Sequence, residues 1–158
     1  MLASKLPGFS GYIERENRRA ADKILRENLA DRFEAIRKEL SNVQKDLAAA
    51  QELKYIDDLE GAATKLQTFI DKVRTAAYGN SSFFDAIKIN ADELARLYDY
   101  DLALVSHAES IERGVQNVAA SVGTDGMDAA VRNVVTQSRD LVAAFDQRSE
   151  VITAQAAE

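Results

Sequence analysis

The chain has 158 residues, a mass of 17.4 kDa, a formal charge of −6 and no cysteine. That size suits one domain, and the missing cysteine removes disulfides, thiolate metal sites and cysteine nucleophiles. The acidic balance argues against nucleic acid, whose phosphates reward clustered Lys and Arg. One proline and seven glycines leave little room for β-turns, so helices are favoured. No apolar run reaches the ~18 residues that spanning a bilayer takes, and the first residues lack an apolar core of signal-peptide length. The expected location is therefore cytoplasmic.

Residues 1–12 read as a flexible arm and 13–158 as a single helical bundle domain. The arm carries Phe9 and Tyr12. A basic set follows it, Arg15, Arg18, Arg19, Lys23 and Arg26, interleaved with Glu14, Glu16 and Asp22. From there on, apolar residues recur at alternating spacings of three and four, the narrow seam of helices that pack at shallow angles. The first seam is Leu25, Leu29, Phe33, Ile36, Leu40, Val43 and Leu47, on a helix expected over 13–50. Upstream of Leu25 this stripe passes to Arg18 and Asp22, while the weak apolar set Ile13, Ala20 and Ile24 lies more than 90° away at ~100° per residue. The helix is thus expected to overhang the bundle by ~18 Å at ~1.5 Å per residue.

No helix breaker separates the first seam from the second in "AAAQELKYIDD". A continuous helix would put Lys54 and Asp57 in the core, however, and Ile56 and Leu59 are out of phase with Leu47. The spacing therefore predicts a tight turn near 51–57 with Asp57 as cap, then a helix over 57–78, the second seam running Ile56, Leu59, Ala63, Leu66, Ile70, Val73 and Ala77. Gly79 ends it. The 79–90 connection brings Phe83 and Phe84 close behind Tyr78. Asn90 with Glu93 reads as a capping box opening a third helix over 91–121, whose seam runs Leu94, Leu97, Asp101, Leu104, Ala108, Ile111, Val115, Val118 and on to Val122. In "VGTDGMD" a glycine stops that helix and Thr124 or Asp125 caps a fourth, over 126–154, with Met127, Val131, Val134, Ser138, Leu141 and Phe145 inward.

The expected fold is all-α: an elongated antiparallel four-helix bundle, up-down-up-down, with a protruding N-terminal extension of the first helix. Short connections then gather the start of helix one, the 79–90 connection, the start of helix three and the end of helix four at one end, called here the open end. Aromatic residues collect in the same segments: Phe9, Tyr12, Tyr78, Phe83, Phe84, Tyr98 and Tyr100. Their bland reading is a lid of Phe83 and Phe84 over Leu25, which we weight above the sharper one, a partner surface built from aromatic and Arg anchors. The basic set has three readings, ranked in this order: a solvated face, a contact with acidic residues of another subunit, and an approach to anionic lipid. The lipid reading falls last because Ile13, Ala20 and Ile24 make a poor apolar face.

Asp101 on the third seam calls for a partner, and Arg148 lies about level with it on helix four. A structural ion pair or register device outranks a catalytic or metal-binding carboxylate. Bundle metal sites use several inward Glu residues and Glu-x-x-His pairs, and the residue three before His107, the only histidine, is Leu104. No phosphate loop, Gly-x-Ser-x-Gly or nucleophile–base pair is present, so neither a catalytic residue, a metal nor a cofactor is assigned. The functional expectation is a non-enzymatic interaction or scaffolding protein that self-associates, with Phe9, Tyr12, Arg15, Arg18, Arg19, Lys23, Tyr78, Phe83 and Phe84 as partner-binding candidates. The alternative is a bundle that binds a small ligand or anionic lipid, using space beside Ala63, Ala77 and Ala108.

Overall fold

The computed structural model describes the backbone of residues 18–79 and 91–155, and side chains within 24–75 and 102–147. Helix α1 is Arg18–Ala49, α2 is Ile56–Gly79, α3 is Ala91–Ser121 and α4 is Met127–Gln155. A short 3-10 turn, Leu53–Tyr55, leads into α2. The fold is the expected all-helical bundle, with no strand among the described residues.

Side-chain pairs fix how the helices run. Gln44 donates to Glu60 at 3.0 Å and Arg74 approaches Asp31 at 3.5 Å. One partner number rises as the other falls, as antiparallel α1 and α2 require. Lys54 pairs with Asp128 at 3.0 Å and Lys72 with Asp146 at 2.9 Å. Here both numbers rise together, so α2 and α4 run parallel. Since α3 and α4 form the second hairpin, α3 must run parallel to α1, and Arg32 of α1 reaches Glu112 of α3 at 3.3 Å. Helix direction alternates along the chain, but the order around the bundle is α1, α2, α4, α3. Two helical hairpins are stacked side by side with their turns at the same end. Their seams share a phase: Leu29, Leu40 and Leu66 correspond to Leu104, Val115 and Leu141 at a constant spacing of 75 residues.

The first turn closes without glycine. Gln51 takes φ +61°, Glu52 N–H donates to Leu47 C=O at 2.9 Å, and Gln51 N–H donates to Ala48 C=O at 3.1 Å. This pair of bonds is a Schellman motif, which satisfies carbonyls that the helix end would otherwise leave bare. The α2 helix then starts at Ile56, so Asp57 sits inside its first turn rather than capping it, a correction to the expected cap. A negative charge there still complements the positive end of the helix dipole. The second turn follows expectation. Gly123 takes φ +77° after α3. Thr124, not Asp125, supplies the side-chain bonds, accepting from Gly126 N–H at 3.3 Å and donating to Ser121 C=O at 2.7 Å.

All seven residues of the first seam are buried, as are Leu59 through Val73 on α2, Leu104 through Val118 on α3, and the whole α4 set from Met127 to Phe145. Ile56 and Val122, at the seam ends beside the turns, are half-buried. The core is wider than those seams. Ala30, Ala62, Phe69, Val105 and Ala130 are also buried, because each helix packs against two neighbours and must present two flanks. Three Phe rings from three helices form its centre: Phe33 and Phe69 meet edge to face at 4.6 Å, and Phe69 and Phe145 at 5.4 Å. Ser138 is fully buried on the α4 seam, its hydroxyl donating to Val134 C=O at 2.8 Å, which satisfies the polar group without a partner from another helix.

Candidate functional site

The topology gives the bundle two unlike ends. At one end lie the two turns, 50–55 and 122–126. Tyr55 and Lys54 both hold the Asp128 carboxylate, which joins the first turn to the start of α4. Lys54 Nζ also sits 5.0 Å from the centre of the Tyr55 ring. These contacts hold the Asp128 carboxyl below its ordinary range, first through the Tyr55 hydrogen bond and then through Lys54. The same contact with Asp128 raises both the Lys54 ammonium and the Tyr55 phenol. Through these contacts the cluster clasps the first turn of one hairpin to the start of α4 in the other. Beside it Leu53 is 64% exposed.

At the other end lie the start of α1, the end of α2, the start of α3 and the end of α4, which is the open end expected from the sequence. Leu25 is 2% exposed there, whereas its neighbour Ile24 is 40% exposed. Ile24 stands ~100° around the helix from Leu25, on the side turned away from the bundle, and α1 continues back to Arg18. Arg26 departs from the solvated-face reading of the basic set: it is 4% exposed, on the same flank as Ala30 and Phe33. Its spacing, four before Ala30 and seven before Phe33, could have placed it inward. The single narrow stripe used for α1 concealed that flank.

The remaining candidates are placed only by the chain. Arg18, Arg19 and Lys23 lie on α1, Tyr78 on α2, Tyr98 and Tyr100 on α3; the paired candidates Asp101 and Arg148 lie on α3 and α4. The side chains of all these fall outside the described residues, as do Phe9, Tyr12, Arg15, Phe83 and Phe84 altogether. The overhang upstream of Arg18 and the arm over 1–12 also fall outside them. His107 is half-buried on α3.

An open groove of about 290 Å³ runs between α1 and α2, lined by Arg37, Ser41, Glu60, Ala63, Thr64, Gln67 and Thr68. Most of the polar groups on its walls are engaged locally. Arg37 donates to Glu34 at 2.6 Å, Ser41 to Arg37 C=O, and Thr68 to Thr64 C=O. Among the described residues there is no cluster of His, Asp and Glu that could hold a metal ion, and no helix is long and apolar enough to cross a membrane. Searches with this chain find no matching family model, no matching curated protein and no matching solved structure.

Proposed function

We propose that this chain is a non-enzymatic helical scaffold that self-associates through its open end. The observation that carries the reading is the exposed apolar Ile24 near the start of α1. Leu25 is buried in the bundle while Ile24 is substantially exposed, and the helix extends beyond both to Arg18. The described core reaches Leu25 on α1, and α1 runs seven residues upstream of it to Arg18. An isolated helical overhang is marginal in water, which favours a docked state. Composition supports the same end. The described core takes only Phe33, Phe69 and Phe145 from the eleven aromatic residues, and seven of the rest belong to segments at the open end. Aromatic and Arg side chains are the usual anchors of protein interfaces. In this reading Phe9, Tyr12, Arg15, Arg18, Arg19 and Lys23 of one copy meet Tyr78, Phe83, Phe84 and the acidic start of α3, Asp92 and Glu93, of a second.

Light scattering behind a sizing column tests this. The full chain is expected at a multiple of 17.4 kDa, and the chain lacking residues 1–22 at the mass of one copy with its helicity kept. A full chain that stays monomeric at every concentration tested overturns self-association. An oligomer unaffected by the truncation moves the contact away from the arm.

A further inference from the structure

We draw no further inference here: the strongest candidate, the open groove between α1 and α2 lined by Arg37, Glu60 and Ala63, carries nothing, because Arg37 Nη2 is already held by Glu34 and nothing in the structure shows what would cover the groove.

Discussion

Replacing Gln51 by glycine should stabilise the protein. Gln51 is the one non-glycine residue at positive φ among those described, at +61°. A Cβ in that left-handed region costs roughly 1–2 kcal/mol, which glycine removes. Glycine loses more backbone entropy on folding, which returns about 0.5–1 kcal/mol. The two Schellman bonds, Glu52 to Leu47 and Gln51 to Ala48, use backbone atoms only and survive the substitution. The net expectation is a gain of about 0.5–1 kcal/mol, or a midpoint rise of about 1–4 °C for a domain of this size. Ala50→Gly is the matched control. Ala50 has no positive φ, so the same glycine one residue earlier should cost about 0.5–1 kcal/mol. Thermal and urea unfolding followed by circular dichroism would read both. If Gln51→Gly destabilises the protein as much as Ala50→Gly does, the chain does not turn at Gln51 and the α1–α2 hairpin is wrongly drawn.

Gly123→Ala should act in the opposite sense, costing about 1–2 kcal/mol, because Gly123 holds φ +77° with open space around it and only the backbone is strained. Phe69→Ala should cost about 3–5 kcal/mol, since it empties the centre of the core and removes both ring contacts; a urea midpoint close to the parent's would contradict that packing. Gly61→Ala should add about 1 kcal/mol from helix propensity alone, since nothing lies within 4 Å of the new Cβ. Gly114→Ala should not show that gain, because its Cβ would fall 2.7 Å from Gln137 Oε1 and 3.1 Å from Val134 Cγ2; equal gains at both sites would mean that α3 and α4 do not approach so closely. Asp128 has its carboxyl lowered from an ordinary value of 3.8, so its contribution is present above that value and lost as pH falls through the lower folded one. Urea midpoints measured down to pH 3 should therefore fall less steeply for Asp128→Asn than for the parent chain, and identical slopes would remove the Tyr55–Asp128–Lys54 clasp.

The seams were legible because burial repeats with the helical period. Every described residue on the four expected stripes is buried or, at Ile56 and Val122, half-buried. Phe69 and Ala30 were not legible from the same stripes, since a coiled-coil seam faces one neighbour and these helices each face two. Arg26 shows the same limit for a charged residue: its place on the second flank overrides the tendency of basic runs to lie in solvent. The turn at Gln51 follows from the phase slip between Leu47 and Leu59, but its closing residue does not, because a Schellman motif built on Gln leaves no glycine to read. The order around the bundle was hidden for another reason. Alternating direction is satisfied equally well whether α2 neighbours α3 or α4. The placement of Lys54 and Lys72 beside Asp128 and Asp146 distinguishes the two arrangements. For the open end, the sequence supplies aromatic and basic residues and the fold brings together the helix ends that adjoin them, while where those side chains meet belongs to the proposal.

Hydrogen exchange measured at several protein concentrations tests that proposal most directly, because it reads where association occurs as well as whether it does. Self-association through the open end predicts that amides over 13–24 and 79–93 become better protected as concentration rises, while those around 50–55 and 122–126 do not change. Protection that is independent of concentration at the open end, or that rises at the two turns instead, would contradict it.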